Sequence, residues 1–227
     1  TRQGGVSQLP FASFNLGAHV GDDPAAVAAN RALLRQQLPA EPAWLNQVHG
    51  ITVVDAARVA GAPVDADASF SRTPGVVCAV MTADCLPVLF TDRAGSVVAA
   101  AHAGWRGLLA GVLEATLAAM ACPAHEVLAW CGPAISRDAF EVGAEVRAAF
   151  VAHSPAAAVA FSPLPDGKWL ADLPGLARQR LLAAGVPDNQ CVDSELCTVI
   201  EREQFFSYRR DGCTGRMASL IWLAPAV

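Results

Sequence analysis

The chain has 227 residues, 53% of them hydrophobic and 16% charged, so a sizeable core is available and global disorder is excluded. The net charge of −5 argues against a broad electrostatic footprint for nucleic acid or an anionic membrane surface. The cations are 15 arginines and one lysine, so a basic pocket would be built from planar guanidinium groups suited to phosphate or carboxylate.

In chain order, Asp22, Asp23 and Pro24 open the first predicted helix with an N-cap and a first-turn proline. That helix runs to about Gln37 and stops before Pro39. Apolar, β-branched runs of strand length follow at Ile51–Asp55, Val76–Met81, Leu86–Thr91 and Val97–Ala101. The last three are nearly continuous in hydrophobicity, which predicts burial on both faces. Asp92–Gly95 predicts a hairpin turn between two of them. After His102–Gly107 a helical period runs to Ala121, Val127–Cys131 reads as a strand, and Asp138–Val151 reads as a helix. Three prolines and a Pro-Asp-Gly turn mark Ser154–Leu170 as a surface excursion. A helix over Leu173–Ala184 is closed by Gly185, and Met217–Leu223 is a candidate core strand. Without strict βαβ alternation, the expectation is α/β (α+β) architecture with mixed sheets and outer helices. No linker divides the chain, so one domain over residues 1–227 is expected.

Seven cysteines, irregularly spaced and without a C-x-x-C pair, suit a reducing, cytoplasmic setting better than a disulfide framework. Thr1–Pro10 lacks the apolar core of a signal peptide. No apolar run reaches the roughly 20 residues of a membrane span. Cys78, Cys122, Cys131, Cys191 and Cys213 read as structural or incidental.

Three residues stand out chemically. His49 precedes a strand, Cys85 lies at the junction of two buried strands, and His102 ends a strand before a Gly-Trp-Arg-Gly turn. Scaffolds present functional groups at such strand ends and turns. Two imidazoles and a thiolate suit Zn²⁺ and leave a fourth position for water or substrate. The spacings of 36 and 17 residues match no short zinc-finger template. A second reading makes Cys85 a nucleophile, with His102 as its base and Asp84 or another carboxylate orienting the imidazole. A third leaves a buried thiol and two hydrogen-bonded turn histidines. Gly104–Gly107 could offer backbone N–H groups and Arg106 to an anion, or simply permit a tight turn. Phe205–Gly212, with two Phe, the only Tyr and two Arg, could stack a base and bind an anion, or form an alternating strand.

Several motifs occur in order along the chain. They are Gly5-Val-Ser7, Ser13-Phe-Asn-Leu-Gly17, His19-Val-Gly-Asp22, Asn30-Arg31, Gln47-Val-His-Gly50, Ala83-Asp-Cys-Leu-Pro87 and His102-Ala-Gly-Trp-Arg-Gly107. Cys131-Gly-Pro-Ala134, Phe140-Glu-Val-Gly143, Phe206-Ser-Tyr-Arg-Arg-Asp211 and Thr214-Gly-Arg216 complete the set. Together they resemble the bacterial YfiH family, also called the peptidoglycan editing factor or laccase-domain family. The resemblance spans almost the whole chain. It implies a four-layer α/β/β/α sandwich and one zinc ion held by His49, Cys85 and His102. It also implies phosphorolysis of adenosine, inosine, guanosine and methylthioadenosine, deamination of adenosine, and a role in correcting peptidoglycan precursors. Purine nucleoside and phosphate are then the expected partners. Arg31 and Arg106 become candidates for phosphate, Gln47 for base or ribose, and Asp84 for orienting a ligand or moving a proton, or equally for capping a turn. One alternative is a hydrolase of peptidoglycan precursors that uses Cys85 or a metal-activated water. The older description of the family is copper-dependent polyphenol oxidase. Five histidines and no H-x-H pair cannot supply the about ten copper-binding histidines of a multicopper oxidase, although Cu²⁺ at a single site remains chemically open.

Overall fold

The structure, a computed structural model, describes residues 1–59 and 61–224. The helices are α1 (Pro24–Arg35), α2 (Trp105–Ala110), α3 (Val112–Met120), α4 (Ala144–His153), α5 (Leu173–Ala183) and the single turn α6 (Tyr208–Asp211). The strands before α2 are β1 (Pro42–Ala43), β2 (Leu45–Asn46), β3 (Val53–Asp55), β4 (Val64–Asp65), β5 (Ala68–Ser71), β6 (Val77–Thr82), β7 (Leu86–Asp92) and β8 (Val98–Ala103). After it come β9 (Val127–Cys131), β10 (Glu141–Val142), β11 (Phe161–Pro163), β12 (Trp169–Ala171), β13 (Cys191–Asp193) and β14 (Met217–Ile221).

Two mixed sheets stack face to face. One is ordered β1-β6-β14 and the other β13-β9-β7-β8-β5-β3. Side-chain alternation along the strands builds the layers. From β6, Cys78 and Val80 meet Val98 and Ala100 of β8 between the sheets. Ala79 and Met81 point the other way, toward Trp44, Leu16 and Leu34 of α1. From β8, Ala99, Ala101 and Ala103 join Leu86, Val88 and Phe90 of β7 in the main core under α2, α3, α4 and α5. The order is α1, small sheet, large sheet, outer helices, which is the expected four-layer α/β/β/α sandwich. Leu86, Val88, Phe90, Leu108 and Leu113 are fully buried, and each such side chain contributes about 1.5–3 kcal/mol. Among the described residues no helix is long and apolar enough to cross a membrane.

Burial on both faces holds at every position of β6 and β8. The hairpin between β7 and β8 turns on Asp92, whose carboxylate accepts from the N–H groups of Ser96 (2.6 Å) and Val97 (3.1 Å). Helix α1 is capped by Asp23, which accepts from Ala25 N.

Three local expectations are corrected. The helix predicted to Ala121 breaks in two at Gly111, whose φ of 109° suits glycine and ends α2 before α3 begins. The helix predicted from Asp138 starts only at Ala144, because Glu141–Val142 pairs with Trp169–Leu170 as a strand. Ser154–Leu170 is more than a surface excursion, since β11 and β12 form a hairpin in a sheet ordered β10-β12-β11. Its prolines are tolerated where no ladder N–H is missed, Pro155 in the first turn of a 3-10 helix and Pro163 on an edge strand.

Candidate metal centre

The chain leaves the small sheet at Thr82 and enters the large one at Leu86, and Cys85 ends the turn that makes this crossing. Asp84 shapes the turn with a φ of 94°. His102 lies near the end of β8 and alternates with Ala101 and Ala103, so it belongs to the face between the sheets. His49 follows β2 in a short loop at a φ of 61°, a left-handed conformation that costs a non-glycine residue about 1–2 kcal/mol.

Asp67 fixes this loop. Its carboxylate is fully buried and accepts from the backbone N–H groups of His49 (2.9 Å), Val48 (3.1 Å) and Gly50 (2.6 Å). The same carboxylate lies 2.8 Å from Nδ1 of His102, and the Asp67 carbonyl accepts from His102 N at 2.7 Å. A carboxylate on Nδ1 sets the tautomer and leaves Nε2 free for a ligand, the arrangement typical of metal-binding histidines. Sequence reasoning passed over Asp67, which lies 35 residues from its imidazole partner. The available signal was an acidic residue at the edge of an apolar strand, where a buried charge demands a partner.

The three candidate ligands converge. One donor atom from each of His49, Cys85 and His102 lies within 4.8 Å of the others. Cys85 Sγ is 3.7 Å from His49 Nε2, and the two imidazole rings meet edge to face at 4.7 Å between centroids. Zn–S and Zn–N bonds in tetrahedral geometry imply an S···N edge of about 3.6 Å. The donor set and its spacing therefore fit a metal ion. Gly104 makes the approach possible, because a methyl there would lie 2.6 Å from His49 Cδ2 and 3.0 Å from Cys85 Sγ. The turn glycine thus clears space for the imidazole, while its own φ of −63° is one that any residue adopts.

Electrostatics favour a thiolate. Burial alone would push the Cys85 thiol up, but hydrogen bonds and charge from His102 and His49 outweigh it and bring it down to about 6. Burial would lower His102, yet Asp67 and the Cys85 thiolate raise it to about 9. Cys78 and Cys131, buried away from any imidazole, are pushed up to about 12.

A cavity of about 370 Å³ adjoins the cluster and falls in the usual range for small-molecule sites. His49, Cys85 and His102 line it together with Gln47, His19, Tyr208 and Arg216. Gln47 is held at both ends of its amide by the backbone of Met81, at 2.8 and 2.7 Å. Asp84 spends its carboxylate on Thr198 Oγ1 and the N–H of Arg209, each at 2.6 Å, so the carboxylate facing His102 is that of Asp67. Arg31 and Arg106 are not in the lining. Arg31 donates twice to the Leu16 carbonyl and stacks on Trp44, and Arg106 is exposed above Trp105. Of the aromatic cluster near the C-terminal end, Phe205 and Phe206 are core and Tyr208 reaches the cavity from α6, in a helical turn instead of a strand.

The model of the family described as "Multi-copper polyphenol oxidoreductase laccase" matches residues 1–224. The Escherichia coli protein named purine nucleoside phosphorylase YfiH is 57% identical over 225 residues, covering 98% of this chain and 91% of the relative. A Pseudomonas aeruginosa protein, also named purine nucleoside phosphorylase, is 56% identical over 226 residues with the same coverage. Among solved structures, a Neisseria meningitidis protein superposes with a TM-score of 0.95 at 58% identity, covering 99% of this chain and 92% of that one. The YfiH protein of Bacillus licheniformis does so with a TM-score of 0.90 at 33% identity, covering 98% and 90%. On fold, sequence and the extent of both matches, the chain belongs to the laccase-like polyphenol oxidoreductase family that includes the YfiH proteins.

Proposed function

We propose that the protein is a zinc-dependent purine nucleoside phosphorylase that cleaves adenosine, inosine, guanosine and methylthioadenosine and also deaminates adenosine. The observation that carries this reading is the His49–Cys85–His102 cluster on the cavity wall, in a chain whose relatives bear the phosphorylase name. His49 and His102 through Nε2, and Cys85 through its thiolate, would hold the ion. When bound, zinc supplies Lewis acidity and lowers the pKa of water toward neutrality, the chemistry that deamination calls for.

The chain's own residues do the positioning. Asp67 keeps His102 in one tautomer and draws the His49 loop onto it with three backbone hydrogen bonds. Gln47 ties the same loop to β6, and Arg31 steadies the N-terminal loop at Leu16. Asp84 fixes the turn that presents Cys85.

The test is zinc-loaded protein with adenosine, with and without phosphate, and mass-resolved products, with Cys85→Ala as control. Adenine and ribose 1-phosphate formed only with phosphate, and lost in the variant, support phosphorolysis; inosine reports deamination. Intact adenosine with folded, metal-loaded protein defeats the reading for this substrate.

A further inference from the structure

Among the described residues twelve line the cavity, and none of these is an aspartate or glutamate. In a chain of net charge −5, an acid-free cavity carrying a guanidinium is a local reversal of sign. That guanidinium is Arg216. It is part-buried, and Nη1 donates to the carbonyls of Thr214 (3.1 Å) and Gly215 (3.0 Å). Among the described residues Nε and Nη2 have no hydrogen-bond partner, and Arg216 has no carboxylate within ion-pair distance. Four other arginines do pair with carboxylates, namely Arg58, Arg178, Arg180 and Arg210. The nearest negative charges, Cys85 and Asp84, act on it only at a distance. A part-buried cation with no carboxylate on its free N–H groups is costly unless a ligand supplies the counter-charge.

The second observation is His19, which lines the same cavity from the N-terminal loop. Burial and the charges of Arg216 and Arg31 hold its pKa below the usual value, so positive potential converges there. The position of Arg216 is built. Its backbone N–H donates to Asn15 Oδ1 at 2.8 Å, and its carbonyl accepts from Leu16 N at 3.0 Å. Asn15 is fully buried and joined to Asp22 at 2.9 Å and to Asn30 Nδ2 at 2.9 Å. The guanidinium thus stands on a buried polar network that also fixes the loop leading to His19.

We propose that Arg216, with His19 beside it, forms the anion subsite of the cavity and binds the inorganic phosphate of the reaction. Two free guanidinium N–H groups match two oxygens of a phosphate in fork geometry. This rests on the phosphorylase reading. In the reaction, a phosphate oxygen forms a bond to C1′ of the ribose as the C1′–N9 bond breaks. The purine departs with the electron pair, and the proton of hydrogen phosphate ends on the purine. Arg216 holds the dianion throughout.

The experiment uses the full zinc-loaded chain and inorganic phosphate, read by calorimetric titration and, separately, by steady-state phosphorolysis. Arg216→Gln raises the phosphate Kd and phosphate KM about 10- to 100-fold, while the nucleoside KM moves less than about 3-fold and zinc content holds at wild-type level. Arg216→Lys recovers part of the loss, as charge without the fork predicts. If Arg216→Gln does not fold, His19→Gln on the exposed loop reads the same subsite through a smaller rise in phosphate Kd. Unchanged phosphate Kd and KM in Arg216→Gln, or in His19→Gln when only that variant folds, overturns the subsite even if the wild type is a phosphorylase. So does a wild-type chain that binds no phosphate. Phosphate bound through Arg216 without nucleoside cleavage keeps the subsite and defeats the phosphorylase reading instead.

Discussion

Asp67 and His102 are joined twice, by a 2.8 Å contact from carboxylate to imidazole Nδ1 and by a 2.7 Å backbone hydrogen bond. The pair is buried, with 3% of His102 exposed and none of Asp67. One residue therefore sets the orientation of both histidines in the cluster, His102 directly and His49 through its backbone N–H.

Asp67→Asn replaces a four-fold acceptor with a group that carries one oxygen and an N–H₂ turned toward existing donors. The expected cost is roughly 2–4 kcal/mol of unfolding free energy in metal-free protein. Zinc affinity should fall about 10- to 100-fold. Chemical denaturation with chelator and a competitive zinc titration measure the two. Wild-type values in both would show that Asp67 fills space without positioning anything.

Cys85→Ser keeps the turn geometry and removes the soft donor. We expect bound zinc after dialysis to drop from about one equivalent to below a tenth. The melting temperature of the metal-free protein should move by only a few degrees, since Cys85 lies at the cavity surface. Full zinc retention in Cys85→Ser, by elemental analysis, would remove Cys85 from the ligand set.

Gly104→Ala tests the close approach. Its backbone is compatible with alanine, so the effect is steric and falls on His49. Overpacking of this kind costs about 1–3 kcal/mol and should appear as weaker zinc binding. Gly107→Ala, whose methyl would meet the Gly50 carbonyl at 3.0 Å, provides a milder comparison. Equal zinc affinity in Gly104→Ala and wild type would contradict the geometry.

The metal-free protein should hold a thiolate at neutral pH. Ultraviolet absorbance of Cys85 is expected to titrate near 6, and His102→Ala should move it back toward the ordinary 9.0. The stability consequence is unusual. The lowered Cys85 value contributes stability present above 9.0 and lost as pH falls through about 6. The raised His102 value contributes stability present below 6.5 and lost as pH rises through about 9. These slopes oppose each other in the shared window, because folding there moves one proton from sulfur to imidazole without net uptake. Unfolding free energy should carry no slope from this pair between pH 6.5 and 9. A thiol that titrates near 9.0 in folded, metal-free protein would refute the charge arrangement.

Much of the architecture was legible because it rests on local signals. Val77–Thr82 and Val98–Ala103 are buried on both faces, and their uninterrupted hydrophobicity says so. Asp23 and Pro24 announce α1 through cap chemistry. Glu141–Val142 and Trp169–Ala171 were missed because strands of two or three residues carry no period to detect. At the candidate site, residue type and strand-end placement singled out His49, Cys85 and His102, and resemblance strengthened the choice. Gln47 and Arg31, the candidates for base or ribose and for phosphate, hydrogen-bond the backbone groups of Met81 and Leu16, distant in sequence, and of the two Gln47 lines the cavity. Asp67 and Arg216 were left without a role for the converse reason. What distinguishes them is burial beside one particular partner, or the lack of a partner, and neither is written in local sequence.

The Asn15–Arg216 contact spans 201 residues. His49, Asp67, Cys85 and His102 all precede α3, whereas Tyr208 and Arg216 follow about a hundred residues after His102. During translation the nascent chain carries every proposed metal donor long before it carries the guanidinium. The cavity acquires its lining in two instalments, and the turn that presents Cys85 gains its Asp84 contacts to Thr198 and Arg209 only with the second.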